Sequence, residues 1–181
     1  MVGITKEHTL AEVASIVSAA LSKAGLEAVL TGGAAVSIYS NNQYESYDLD
    51  FITMRSAQEL ETVLTSLGFT RDQGHRHYIH PNSCFQLEFP KGPLAFGEAI
   101  FALDDTDTLK MSLGTIRIIT PTQTIMDRLA SYAHWKDIQS FRQALRVAAD
   151  NEIDWDALYS WADAEGIAAA VIDEVKEDKD T

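Results

Sequence analysis

Two aspartates, Asp48 and Asp50, are the residues whose types and spacing most directly suggest chemistry. Residues 47–53 alternate in the period of a β-strand, so both carboxylates should project from one face of that strand. Such close carboxylates repel each other unless a cation lies between them. Because Mg²⁺ prefers oxygen ligands and links carboxylates to substrate phosphates, the pair predicts a magnesium site. An isolated Asp-x-Asp pair is more often a solvated strand face.

A glycine pair, Gly32-Gly33, precedes the aspartates. The sequence predicts a short apolar strand over residues 27–31 and a short helix over residues 34–39, with the glycines between them. Glycine lets the backbone approach a ligand closely, and a helix N-terminus carries partial positive charge. Together these features predict a phosphate-binding turn. Taken alone, the pair is a simple turn.

A third carboxylate, Glu88, lies within the apolar segment 85–89. That segment is predicted to be a strand that pairs beside the strand of Asp48. There Glu88 would complete a metal site or take the proton of an attacking hydroxyl. The alternative is a residue at a strand end that faces water.

The elements that must position these residues follow from the hydrophobic pattern. Helices are predicted over residues 9–24 and 56–67, the second with a capping box formed by Ser56 and Glu59. Further strands are predicted over residues 75–80, 84–89 and 115–119, and Pro121 begins a helical half.

The helical half contains predicted helices over residues 122–135 and 136–149, a third helix capped by Asp154, and a short last helix after Gly166. We therefore predict an α+β (α/β-like) protein: a small mixed β-sheet flanked by helices, with a C-terminal helical bundle. The α/β core would span residues 1–120. The helical region, residues 121–181, would pack on it as one compact unit.

The composition limits the possible partners. The chain has 27 acidic and 14 basic residues among 181, a formal net charge of −13, which argues against generic DNA binding. No apolar segment is long enough to cross a membrane and no signal peptide is evident, so we expect a cytoplasmic protein. The one cysteine, Cys84, is predicted to be a small buried side chain on a strand.

The ordered combination of these motifs resembles the nucleotidyltransferase superfamily of the DNA polymerase beta type. Leu30-Thr31-Gly32-Gly33 matches the apolar-Gly-Gly/Ser part of that signature, and Asp48-Leu49-Asp50 matches its Asp-x-Asp part. Ser46 matches the Ser/Thr that commonly precedes the aspartates. The segments Asp127-Arg128-Leu129-Ala130 and Trp135-Lys136-Asp137 are similar to helices of the abortive-infection toxin branch.

The resemblance implies a function. The protein would transfer a nucleoside monophosphate from an NTP, bound with two Mg²⁺ ions, to an acceptor hydroxyl on a protein, a tRNA or a small molecule. A toxin role with an antitoxin partner is implied as well. The implied catalytic and metal-binding residues are Asp48, Asp50 and Glu88, and the implied nucleotide-binding residues are Gly32, Gly33, Ser46, Arg128 and Lys136.

The sequence departs from the family pattern in three places. Gly33 stands where many relatives have serine, Tyr44 stands where relatives often have arginine, and Glu88 is longer than the usual aspartate. An alternative is therefore a catalytically degenerate module that binds a nucleotide or a partner on the same fold. Paired aspartates also serve metal-dependent phosphohydrolases, a third alternative.

Other residues have simpler interpretations. His75 and His77 share one face of a predicted strand and are a weak candidate for a zinc site, because no partner ligand has the spacing that zinc requires. The three tryptophans, Trp135, Trp155 and Trp161, are predicted to be core or helix-packing residues.

Overall fold

The structure is a computed structural model that describes residues 3–72 and 77–179. Within these ranges the helices are α1 (Leu10–Lys23), α2 (Gly32–Tyr39), α3 (Ala57–Ser66), α4 (Pro121–Trp135), α5 (Ile138–Asp150), α6 (Trp155–Ala164) and α7 (Ala169–Lys179). The strands are β1 (Val29–Thr31), β2 (Asp48–Ile52), β3 (Thr70–Arg71), β4 (Tyr78–Ile79), β5 (Gln86–Glu88), β6 (Leu94–Phe96), β7 (Ala99–Phe101), β8 (Asp107–Met111) and β9 (Gly114–Ile118).

Seven of the described strands form one mixed sheet in the order β3-β4-β5-β2-β1-β9-β8, and β6 and β7 form a separate two-stranded sheet. In the large sheet, β2 runs antiparallel to β1 and parallel to β5, while β1 runs parallel to β9. The predicted α+β architecture is confirmed. Sequence analysis did not predict β3, the hairpin of β6 and β7, or β8.

Local sequence signals explain where the helices begin. The predicted capping box of α3 is present: the Glu59 N–H donates to Ser56 Oγ at 3.4 Å, and the Ser56 N–H donates to Glu59 Oε2 at 2.9 Å. Pro121 occupies the first turn of α4, where the absence of its N–H costs nothing because that group would have no helical partner. Thr120 caps the same helix.

The helical half packs on the sheet through a shared core. Ile125 and Leu129 of α4 and Ala144 of α5 are fully buried in the same hydrophobic cluster as Leu30 of β1 and Ile118 of β9. Helix α2 packs against both α4 and α5. The junction of β1 and α2 is therefore held close to α4 and α5, which carry Arg128, Arg142 and Arg146.

Two predicted burials are wrong. Cys84 is exposed, because β5 begins only at Gln86 and the turn before it continues through Ser83 Oγ, which accepts from the Phe85 N–H at 3.1 Å. Trp135 is 82% exposed, because it lies opposite the buried face of α4. The prediction for Trp161 is confirmed: it is buried, and its Nε1 donates to the Phe96 carbonyl oxygen at 3.1 Å.

One carboxylate fastens the β6–β7 hairpin to the end of α6. Glu165 Oε1 accepts from the Glu98 N–H at 2.9 Å and from the Ala99 N–H at 3.1 Å. Replacing Glu165 with alanine removes both acceptors, so we expect the free energy of unfolding in a urea titration to fall by about 1–3 kcal/mol. Asp163→Ala, at an exposed position of α6, is the matched control and should change it by less than about 0.5 kcal/mol. Equal effects of the two changes would contradict the prediction.

Candidate active site

The two aspartates of β2, the central strand of the large sheet, lie on one face of that strand. Leu49 and Phe51 are fully buried, whereas Asp48 is exposed and Asp50 is half-buried. The parallel pairing of β2 with β5 places Asp50 directly opposite Glu88. Because side chains of paired residues on neighbouring strands point the same way, Asp50 and Glu88 lie on one face of the sheet. The predicted pairing of the Glu88 strand beside the strand of Asp48 is confirmed, while a metal site shared by the three carboxylates stays a prediction.

Asp50 is the most strongly perturbed of these carboxyl groups. Burial raises the pKa of Asp50 to about 6, and the nearby charges of Glu88, Asp48 and Asp127 contribute to the increase. The positive charge of Arg128 lowers the pKa of Asp50, but its effect is the smallest of those that act on this carboxyl group. The ionised form of Asp50 is therefore disfavoured in the folded protein, and a bound cation would relieve this cost.

The glycine pair begins α2 rather than preceding it, which corrects the predicted helix start at residue 34. Gly32 has φ +64, and a Cβ added there would lie 2.6 Å from Asp50 Oδ2. A side chain at this position would displace the Asp50 carboxylate and would hold the backbone in a left-handed conformation that favours glycine. The N-cap residue Thr31 makes no side-chain hydrogen bond to the first turn of α2, so that turn keeps N–H groups available for an anion.

Ser46 organises the start of β2. Its Oγ donates to the Asp48 carbonyl oxygen at 3.0 Å and accepts from the Asp48 N–H at 3.3 Å. The same Oγ would lie 3.1 Å from a Cβ added at Gly33. A larger residue at Gly33 would press on Ser46, which gives a steric reason for glycine at this position.

Arg128 lies near the carboxylates, but its guanidinium is already engaged. Its Nη2 lies 2.5 Å from Asp127 Oδ2, and its Nη1 donates to Gln143 Oε1 at 3.2 Å. Lys136 ends α4 in a left-handed conformation and is exposed. Eight residues of helix separate it from Arg128, about 12 Å along the axis. The nucleotide-binding roles of both residues stay predictions.

Sequence reasoning did not assign three residues that adjoin the site. Asp127 acts electrostatically on Asp50, His77 Nδ1 lies 2.6 Å from Glu88 Oε1, and Tyr44 Cε1 would lie 3.3 Å from a Cβ at Gly33. For Asp127 the sequence did hold a signal, because this residue directly precedes Arg128, a predicted nucleotide-binding residue. His75, the partner of His77 in the zinc alternative, lies outside the described residues.

The donor types fit Mg²⁺, since Asp48, Asp50 and Glu88 offer only carboxylate oxygens. Across residues 3–72 and 77–179, no group of three or more His, Cys, Asp or Glu side chains is already arranged to hold a metal ion. Over the same ranges, no helix has both the length and the apolar character needed to cross a bilayer.

The fold of the chain is similar to that of solved structures of nucleotidyltransferases and nucleotidyltransferase-like proteins. It is similar to an antigenic nucleotidyltransferase-like protein from Paracoccidioides brasiliensis, with a TM-score of 0.58 and 17% identity over 81% of this chain and 78% of that one. It is also similar to ANT(2'')-Ia in complex with adenylyl-2''-tobramycin, with a TM-score of 0.53 and 15% identity over 83% of this chain and 93% of that one. No protein-family model and no curated protein matches the chain.

A second structure of ANT(2'')-Ia, a solution structure of this antibiotic-resistance factor, has a TM-score of 0.50 and 14% identity over 93% of this chain and 97% of that one. At these identities the likeness establishes the fold alone. The predicted nucleotidyltransferase-like fold is confirmed. The toxin-type branch stays a prediction.

Proposed function

We propose that the protein is a Mg²⁺-dependent nucleotidyltransferase that moves a nucleoside monophosphate from an NTP to an acceptor hydroxyl. The observation that carries the proposal is the position of Asp50, which lies opposite Glu88 of β5 on one side and beside Gly32, next to β1, on the other. Crowded carboxylates beside an open helix N-terminus are what a metal–triphosphate complex requires.

In the reaction, the acceptor oxygen bonds to the α-phosphorus, and the bond from that phosphorus to its bridging oxygen breaks. Pyrophosphate leaves with the electron pair, and the hydroxyl proton passes to a base. Bound Mg²⁺ would supply charge neutralisation for the attacking and leaving oxygens. Asp48, Asp50 and Glu88 would hold it, and the first turn of α2 would orient the phosphates.

The base that takes the proton of the acceptor hydroxyl would lie on the side of the site where Glu88 stands. Glu88 Oε1 lies 2.6 Å from His77 Nδ1, so one of the two Glu88 oxygens already has a nitrogen neighbour. This contact also favours the second candidate function, a nucleotide-binding module without turnover, because a Glu88 that remains bound to His77 offers fewer electron pairs to a metal or a hydroxyl.

A thermal-shift titration with ATP, GTP, CTP and UTP tests nucleotide binding. At a hundredfold excess over Kd, the preferred NTP should raise Tm by roughly 5 °C with Mg²⁺ and much less without it. Asp48→Asn should remove the magnesium-dependent part, and Asp163→Asn, an exposed aspartate of α6, is the control. The absence of a magnesium-dependent shift with any of the four nucleotides would overturn the proposal.

Labelled NTP then separates the three reactions. Incubation with a cell lysate should yield a labelled acceptor if the protein is a transferase. Release of free phosphate alone would indicate the phosphohydrolase alternative, and unchanged NTP would indicate the module without turnover. The toxin role and its antitoxin partner rest on the resemblance of α4 alone, and a small adjacent antitoxin-like reading frame would support them.

A further inference from the structure

A small pocket lies between Tyr44 and one side of α5. Its volume is about 210 Å³, and it is lined by Tyr44, Gln139, Arg142, Gln143 and Arg146, which we call the donor pocket. Every lining side chain carries a hydrogen-bond donor, and none is a carboxylate. In a chain with 27 acidic and 14 basic residues, such a lining is a marked exception.

The donors of this pocket are largely uncommitted. Among the residues that the structure describes, the Arg142 guanidinium makes no ion pair and no hydrogen bond. Gln143 is only 6% exposed, and its Oε1 accepts from Arg128, which leaves its Nε2 as the group able to donate. Arg146 uses Nη1 to hold the Gln43 carbonyl oxygen at 2.7 Å and keeps its remaining N–H groups and its charge. The pocket therefore matches an oxyanion.

A second basic surface of the protein does not have such uncommitted donors. The cavity beside α1 is lined by Lys23, Arg55 and Arg117 but also by Glu27. Arg117 pairs with Glu27 at 3.3 Å, and Arg55 Nη1 lies 3.9 Å from Glu59. Neighbouring carboxylates thus offset two of its three cations. The donor pocket is the better anion site of the two.

The donor pocket adjoins the first turn of α2 through Tyr44. A Cβ at Gly32 would lie 2.6 Å from Asp50 Oδ2, and a Cβ at Gly33 would lie 3.3 Å from Tyr44 Cε1. Asp50 therefore lies beside the first residue of α2, and Tyr44 of the donor pocket lies beside the second. A chain of phosphates laid across this turn would have its metal-bound phosphate at Asp50 and its far phosphates at the donor pocket.

We propose that the donor pocket binds the terminal phosphates of the NTP, with Arg142 as the main positioning residue. The inference rests on the proposed function and deepens it, since these phosphates depart as pyrophosphate. Charge on the leaving group grows as its bond to the α-phosphorus breaks, and Arg142 and Arg146 stabilise that charge. Arg128, paired with Asp127, then serves to hold Gln143 in the pocket wall.

The test uses inorganic tripolyphosphate, which needs no knowledge of the preferred base. Calorimetric titration of the full chain should show binding, and Arg142→Gln should weaken it by about tenfold, because one charged hydrogen-bonding group is lost. Arg142→Lys keeps the charge and should recover part of the loss. Lys110→Gln, an exposed lysine of β8, has the same change in net charge and should bind as the wild type does.

The number of phosphates on the nucleotide gives a second readout. With the preferred base, Arg142→Gln should weaken NTP binding and leave NMP binding unchanged, since NMP lacks the terminal phosphates. Unaltered tripolyphosphate binding in Arg142→Gln, or an equal loss in Lys110→Gln, would overturn the inference. The proposed function fails differently: there the wild type gives no magnesium-dependent nucleotide shift, whatever its affinity for tripolyphosphate.

Discussion

Replacing Asp50 with asparagine is expected to abolish nucleotidyl transfer and to make the metal-free protein more stable. Activity should fall on the order of a thousandfold, because a central metal-binding oxygen is lost. Stability should rise because Asp50 is half-buried beside Glu88, Asp48 and Asp127. Within the described residues its carboxylate makes no hydrogen bond, so asparagine gives up none.

The pH dependence fixes the sign of the stability effect. The folded pKa of Asp50, about 6, lies above the ordinary value of 3.8. The neutral carboxyl is favoured in the fold, so its contribution to stability is fully present below about pH 3.8 and is lost as the pH rises through 6. At pH 7.5, Asp50→Asn should therefore increase the free energy of unfolding by an amount on the order of 2 kcal/mol, and much less at pH 4.

Urea titrations without metal at pH 4 and pH 7.5 measure this difference. Asp163→Asn, which removes an exposed carboxylate of α6, is the control and should shift neither value by more than about 0.5 kcal/mol. A loss of stability in Asp50→Asn at pH 7.5 would contradict the electrostatic interpretation. Persistent transfer activity in the same variant would contradict the assignment of Asp50 as a metal ligand.

Replacing Gly32 with alanine is expected to damage the site more than the fold. The added Cβ would lie 2.6 Å from Asp50 Oδ2, so the carboxylate must move. A displacement of about 1 Å at a reacting centre can lower the rate roughly a hundredfold. The positive φ of +64 adds a backbone cost of about 1 kcal/mol, which alanine pays and glycine does not.

Gly25→Ala is the matched control, because Gly25 has φ +71 and nothing lies within 4 Å of its added Cβ. It should lose about 1 kcal/mol of stability and keep its transfer rate at a temperature where it is folded. Measuring both variants for unfolding and for kcat separates backbone strain from the contact with Asp50. An equal loss of kcat in the two variants would show that the contact has no special role.

The same carboxylates illustrate a conflict between stability and function. Selection for stability alone would replace Asp50 with a neutral residue, since three neighbouring carboxylates repel its negative charge. Retaining it means that the folded chain tolerates a cost which a bound cation would remove. This is why a substitution at one residue is expected to move activity and stability in opposite directions.

The sequence by itself determined much of the local structure. The period of β2 put Asp48 and Asp50 on one face, the Ser56–Glu59 box began α3, and Pro121 began α4, because each depends on residues a few positions apart. The pairing of the Glu88 strand beside the aspartate strand was also predicted, whereas the register that sets Glu88 opposite Asp50 comes from the structure. These signals are local or follow from simple strand order.

Only the tertiary structure decided the rest. Whether Trp135 is buried depends on which face of α4 meets the sheet, and whether Cys84 is buried depends on where pairing with β2 begins. The engagement of Arg128 by Gln143 and the gathering of Tyr44 with Arg142 join residues far apart in the chain. Hydrophobic periodicity does not predict such contacts between side chains, because they form only when separate helices and strands pack around one core.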